Sequence, residues 1–302
     1  MFVKMIKIEN LKTSMQLFKS PFEKDFRILL GKTKRELTIS SPYINENGID
    51  VFSSSINEKS KVRLNVLTNF SVRNIVDNVT QPSALLKIYD DFKEIKISSL
   101  AKLHAKVYVV DETFAVITSA NLTYGGIKSN FEYGVLIDDK KIVKSVKEDI
   151  LDYANLGNSI GRIFLEKIND ESKKIRKIKI VKENNFKNSD LAKLLNQSEQ
   201  KINAELLENR VTKGKTINEI FSDTIIYLLS KYGSLTTDEL NVHIQSIHSD
   251  ICDDTIDRVI NGQHFGKLWK HSVRNAQLSL KKKGEINSEG KWGRQKWFLN
   301  SK

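Results

Sequence analysis

The chain has 302 residues, 39% hydrophobic and 28% charged, the balance of a folded globular protein rather than a disordered one. Forty-nine Lys and Arg against 37 Asp and Glu leave a formal net charge of +12. That surplus attracts polyanions, nucleic acid or an anionic membrane surface, and does not choose between them. The single cysteine, Cys252, excludes an intramolecular disulfide and a cysteine zinc cluster. The opening MFVKMIKIENLKTSM is too polar for a signal peptide, and no apolar run approaches the ~18–20 residues of a membrane span. A cytoplasmic protein without a membrane partner is expected.

A chain of this length favours two domains and a connector. In residues 1–157, β-rich runs at 37–44, 62–70, 95–100, 105–111, 114–121 and 132–138 are separated by helix-like segments such as 21–35 and 82–94. The alternation predicts an α/β catalytic domain, a mixed sheet flanked by helices. A helix closes it over 138–156, where Ile142, Val143, Val146, Ile150, Leu151 and Ala154 recur at helical spacing. Residues 158–215 read as a helical connector, rich in Lys and Asn from Asn169, with short helices at 189–195 and 198–207 and little core of its own. It is also free to contribute to a dimer contact.

The pattern tightens again in residues 216–302. Ile217, Ile220, Phe221, Ile225, Ile226 and Leu229 mark an amphipathic helix ended by Gly233, and Thr237 followed by Asp238–Glu239 resembles the capped start of a second. A third helix is expected over 267–283, broken at Gly284, and then a hairpin from 285–287 and 295–299 with its tip at 288–293. Helices followed by a hairpin is the order of a winged helix.

The chemistry-bearing residues lie between Leu103 and Gly134. His104-x-Lys106 is followed after four residues by Asp111, then by Ser119-x-Asn121, then by Glu132. Side chains alternate along a strand, so His104 and Lys106 are expected on one face, and Ser119 and Asn121 on one face of the next strand. A tight turn at 111–113 would bring the four together. An ammonium, an amide and a hydroxyl suit the non-bridging oxygens of a phosphodiester, and an imidazole can attack phosphorus or protonate a leaving oxygen. Glu132 is placed to hydrogen-bond an imidazole and favour its charged form. A His-x-Lys pair alone is more often an ordinary half-buried strand pair. The spacing of all six residues carries the functional expectation.

These residues resemble the phospholipase D superfamily signature, His-x-Lys, four residues, Asp, six residues, Gly-Ser-x-Asn, and the likeness extends over about residues 20–155. His104, Lys106, Asp111, Ser119 and Asn121 match it, and Glu132 matches the acidic residue of the family's single-motif nucleases. Thr118 stands where the pattern most often has glycine. The resemblance implies attack by histidine to give a phosphohistidine that water resolves, with no metal and no cofactor. None of the other histidines, His243, His248, His264 and His271, is followed two positions later by lysine. One signature where the family normally uses two implies a homodimer with a shared active site, in which one His104 is neutral and the other charged. Asp111 is read as a structural residue of the turn. Tyr43, Thr68 and Asn69, at strand C-termini, are further pocket candidates.

The signature does not settle the substrate. On 267–283, Leu268, Val273, Ala276, Leu278 and Leu280 supply a candidate buried stripe. Lys270, Arg274, Lys281, Lys282 and Lys283, with Lys291 and Arg294 in the hairpin beside Trp292, form a candidate DNA-binding set. The region resembles winged-helix modules attached to bacterial restriction endonucleases. A solvated lysine-rich face with Trp269, Trp292 and Trp297 in a core is the plainer alternative, and winged helices also mediate protein contacts. A metal-independent endonuclease of restriction or phage defence is expected. A lipid-acting phosphodiesterase is the runner-up, a catalytically silent regulator a third reading, and the need for a separate methylase or ATPase partner is left open.

Overall fold

The computed structural model describes residues 15–20, 23–184, 189–212, 214–290 and 295–300. In chain order, the first part comprises β1 (Met15–Lys19), α1 (Glu23–Gly31), β2 (Glu36–Ser40), α2 (Glu46–Ser54), β3 (Arg63–Thr68), α3 (Val72–Val76), α4 (Pro82–Asp91), β4 (Glu94–Ser99), β5 (Val107–Val110), β6 (Phe114–Thr118), β7 (Tyr133–Ile137), α5 (Lys140–Leu156) and β8 (Asn158–Ser159). The strands form one sheet in the order β1-β7-β6-β5-β2-β3-β4-β8. Its centre, β2-β3-β4, is parallel, and β5, β6, β7 and β1 add antiparallel to one side. This is the mixed, helix-flanked sheet expected from the sequence. The residues of β5, Val-Tyr-Val-Val, are all buried, which explains a run that is apolar throughout rather than alternating.

Helices cover both faces. Val143 and Ile150 of α5 pack on Leu67, Val107, Val109 and Ala115. The larger core joins the sheet to Phe26 and Leu30 of α1, Ile49 and Phe52 of α2, and Leu85 and Ile88 of α4. The edge strand β1 was not expected; its residues are mostly exposed, so no buried alternation announces it.

The connector differs from its expected form. In place of short helices it holds two long ones, α6 (Arg162–Asn184) and α7 (Ser189–Thr212). Phe164, Leu165, Ile168 and Ile175 of α6, and Ile202 of α7, belong to the same core as the sheet. Those four α6 positions share one helical face, but the Lys-rich remainder of the helix hides the stripe.

The last part comprises α8 (Ile217–Tyr232), β9 (Ser234–Thr236), α9 (Thr237–Ile247), β10 (Asp257–Ile260), β11 (Gln263–Lys267), α10 (Leu268–Lys282), β12 (Ile286–Glu289) and β13 (Lys296–Leu299). The two expected strands pair antiparallel, and β9 adds to β13. Capping boxes start α8 at Thr216 and Glu219, and α9 at Thr236 and Glu239, one residue before the expected Thr237. Gly233 and Gly284 end α8 and α10 with φ of 81° and 74°. The buried face of α10 is Trp269, Val273, Ala276, Gln277 and Leu280. Leu268 and Leu278, assigned to it from the sequence, are 46% and 62% exposed because their helical phase turns them away from the α8 contact.

A polar latch joins α7 to this last part. Arg210 pairs with Asp250 and donates from Nη2 to Nδ1 of His248 at 2.6 Å, and Nε2 of His248 donates to Thr224 Oγ1 at 2.7 Å. The Thr224 hydroxyl in turn donates to the Ile220 carbonyl. The imidazole is fully buried, and burial, with the Arg210 charge, pushes its pKa from 6.5 down to about 3. The folded value lies below the unfolded one, so the unfolded chain takes up the proton first. Stability is therefore fully present above pH 6.5 and lost as pH falls toward 3. The expected loss from this group between pH 6.5 and 5 is about 2 kcal/mol. Denaturant titrations followed by tryptophan fluorescence, which reports on residues 269–297, should show that slope and lose it in His248→Gln.

Candidate active site

Asp111 fixes the frame. Its carboxylate accepts the backbone N–H of Lys34 at 2.7 Å, Arg35 at 2.8 Å and Glu36 at 2.7 Å. It thereby ties the β5–β6 turn to the start of β2. Asp111 and Glu112 adopt φ of 49° and 54°, the left-handed turn that joins the two strands.

His104 and Lys106 lie just before β5, which begins at Val107 rather than Ala105. Lys106 is 7% exposed, and its Nζ donates to the His104 carbonyl oxygen at 2.9 Å. Burial pushes its ammonium below the ordinary lysine value, while the nearby Glu132 carboxylate opposes the shift. The His104 side chain is exposed, and among the described residues its ring has no hydrogen-bond partner.

Ser119 follows β6 and Glu132 precedes β7, so pairing of these strands brings the two together. The Ser119 hydroxyl donates to Glu132, and it accepts the Tyr133 N–H at 3.1 Å. Asn130 Nδ2 donates to the other Glu132 oxygen at 3.1 Å, and Ser20 Oγ accepts the Glu132 N–H at 2.7 Å. Glu132 is thus held by Ser119 and Asn130 within its own chain.

Asn121 accepts the Tyr43 N–H through Oδ1 at 3.3 Å, and its Nδ2 keeps two donor hydrogens. A Cβ on Gly126 would overlap the Asn121 carbonyl, so only glycine lets the Gly125–Ser129 turn pack there. Thr118 pairs with Gly134 across the β6–β7 ladder, and a Cβ at Gly134 would come within 2.7 Å of the Thr118 Cβ. Of the further candidates, Thr68 bonds the Pro42 carbonyl inside the core, and Asn69 lines a different cavity of about 90 Å³ beside α7.

Residues that pattern reading missed surround His104. A cavity of about 270 Å³ lies between His104, Lys102, Tyr153, Tyr227, Ser246 and Ile247, which come from the loop before β5, α5, α8 and α9. No local motif signals an assembly drawn from distant segments.

In the last part, Lys270, Arg274, Lys281, Lys282 and Lys283 are all exposed on or just after α10. Lys270 lies over the Trp269 ring and Lys281 over Trp297, while both tryptophans are buried. Lys291, Trp292 and Arg294 lie outside the described residues.

Residues 26–153 match the family model described as "Cardiolipin synthase, PLD-like domain". The matched region holds the mixed sheet and the signature residues, and it is similar to a PLD-like domain. A stretch of 43 residues is 51% identical to the DISARM protein DrmC of Bacillus paralicheniformis, and covers 14% of this chain and 18% of that protein's length. Among solved structures, the phospholipase D family member Nuc from Salmonella typhimurium is similar at 18% identity with a TM-score of 0.42, over 49% of this chain and 99% of that one. NucT from Helicobacter pylori is similar at 16% identity with a TM-score of 0.38, over 50% and 99%.

Proposed function

We propose that the protein is a metal-independent endonuclease that hydrolyses DNA phosphodiester bonds through a phosphohistidine on His104, in a restriction or phage-defence setting. The observation that carries this reading is the pairing of an exposed imidazole, without a hydrogen-bond partner among the described residues, with a buried ammonium two residues away, Lys106, held by the His104 carbonyl. An imidazole free of hydrogen bonds is available to attack phosphorus, and a fixed, partly desolvated cation stabilises the charge that develops on the phosphoryl oxygens. The Asn121 amide supplies a further donor, and Ser119 holds Glu132.

A second copy of the chain completes the site. The leaving oxygen needs a proton, and the second imidazole comes from the partner protomer. Glu132, held by Ser119 and Asn130, presents its carboxylate to that imidazole. Phe131, beside Glu132, is fully exposed, and Leu17, Ile117 and Tyr133 are 62%, 39% and 57% exposed on one face of the β1-β7-β6 edge. An apolar patch of this kind at the site supports a dimer contact there.

Residues 216–302 act as a winged helix, with α10 as the DNA-reading helix and β12–β13 as the wing. Its exposed Lys270, Arg274 and Lys281–Lys283 run and the net charge of +12 support DNA as the substrate. The description of the matching family names cardiolipin synthase, and a phosphatidyl substrate is the second reading. Among the described residues no helix is long and apolar enough to cross a membrane.

Incubation of plasmid DNA, single-stranded DNA and phosphatidyl vesicles with the full chain in excess EDTA tests the proposal. Nucleic-acid cleavage that persists in EDTA is expected. Cleavage only on addition of a divalent metal, or turnover of the vesicles alone, contradicts it.

A further inference from the structure

The cavity beside His104 is built by both ends of the molecule. Lys102, with φ of 59°, lifts its side chain toward α9, and its Nζ lies 3.5 Å from the Ser246 hydroxyl. Tyr153 of α5 and Tyr227 of α8 meet edge to face, with centroids 6.2 Å apart and planes at 77°. Lys231 lies 5.6 Å from the centroid of the Tyr227 ring and donates to its hydroxyl at 3.3 Å. Ile247 and Leu156 add apolar wall. The result is a small recess with two tyrosines and the Lys102 ammonium in its lining, open beside His104.

We infer that this recess takes one unstacked nucleobase of the nucleotide next to the scissile phosphate, so that the strand cut is single or locally unpaired. The inference rests on the nuclease activity proposed above and names the form of its substrate. Its occupant must satisfy three features at once. The walls are apolar and aromatic, which suits the π-face of a base and not a phosphate. The lining carries the Lys102 ammonium, which suits a flanking phosphate of a polyanion. The volume of about 270 Å³ accommodates a single base. A base paired in a duplex cannot enter a recess walled on two sides. It must leave the stack, at a cost that a single strand has already met.

Oligonucleotides carrying one abasic residue, moved stepwise past the cleavage site, test the inference with the unmodified protein in EDTA. Cleavage is expected to fall roughly tenfold when the abasic residue occupies one position next to the cut, the size of one lost base–aromatic stack, and little elsewhere. Ser246 is exposed, so Ser246→Trp fills the recess without disturbing the core. This variant is expected to keep the wild-type melting temperature, to cleave the intact strand as slowly as the wild type cleaves the abasic one, and to ignore the abasic position. His104-dependent cleavage that is equal for every abasic position and unaffected by Ser246→Trp overturns the inference and leaves the proposed activity standing. No cleavage of any oligonucleotide by the wild type contradicts the activity itself. Vesicle turnover blocked by Ser246→Trp, with oligonucleotide cleavage unchanged, assigns the recess to an acyl chain and overturns the inference.

Discussion

Replacing His104 by alanine is expected to lower DNA cleavage by about 1,000-fold or more, with the melting temperature unchanged. The two halves of this result have separate causes. The ring is exposed and makes no hydrogen bond among the described residues, so its removal takes nothing from the fold. The same isolation leaves its nitrogen lone pair free, and in a homodimer the substitution removes both the nucleophile and the proton donor. Lys106 behaves differently. Its side chain is buried against the His104 carbonyl, so Lys106→Met should cost activity and also loosen the segment that aims the imidazole. Undiminished cleavage by His104→Ala contradicts the proposed chemistry, whatever else the protein does to DNA.

Asp111→Ala should give the opposite pattern, a loss of about 2–3 kcal/mol in stability with the folded fraction still active. Three backbone N–H groups at the start of β2 lose their carboxylate acceptor. Alanine also tolerates a φ of 49° less well than aspartate or asparagine. Asp111→Asn, which keeps one acceptor oxygen and the left-handed preference, is expected to recover more than half of the loss. Chemical denaturation and the rate per folded molecule separate the two effects. A folded Asp111→Asn protein with cleavage reduced to the level of His104→Ala would move Asp111 from the frame into the chemistry.

The catalytic half was legible in the sequence because its elements carry strong local signals. Strands β2 to β7 follow apolar β-rich runs, and α5 follows the spacing from Ile142 to Ala154. The role read for Asp111 came from its place at the end of β5, and the structure puts its carboxylate on the backbone of residues 34–36. Other features had weaker or buried signals. The hairpin β10–β11 turns on Asn261–Gly262, with φ of 50° and 79°, a dipeptide that favours such turns. It went unread because Val259, Ile260 and Phe265 are exposed and show no one-sided alternation. The stripe of α6 was lost among lysines. Leu268 and Leu278 were misplaced because an apolar residue on a surface helix is not obliged to face the core.

The candidate site was legible as a set of proposed residues and not as a geometry. Alternation along strands put His104 with Lys106 and Ser119 with Asn121, but the chain leaves regular β structure after Thr118, where parity no longer holds. Glu132 therefore meets Ser119 and Asn130, and Asn121 meets Tyr43. The recess beside His104 depends on how α8 and α9 pack against α5, a tertiary fact that no window of sequence contains. Its two tyrosines and Lys102 link the part that is proposed to cut with the part that is proposed to bind.

The covalent step is the centre of the proposed function and is open to direct capture. A reaction of the full chain with a labelled single-stranded oligonucleotide in EDTA, quenched in alkali at early times and followed by peptide mapping, reads it out. The expected result is oligonucleotide joined through phosphorus to the peptide containing His104, present early and gone when product formation is complete. Product accumulating with no adduct at any time, or an adduct on another residue, would contradict it.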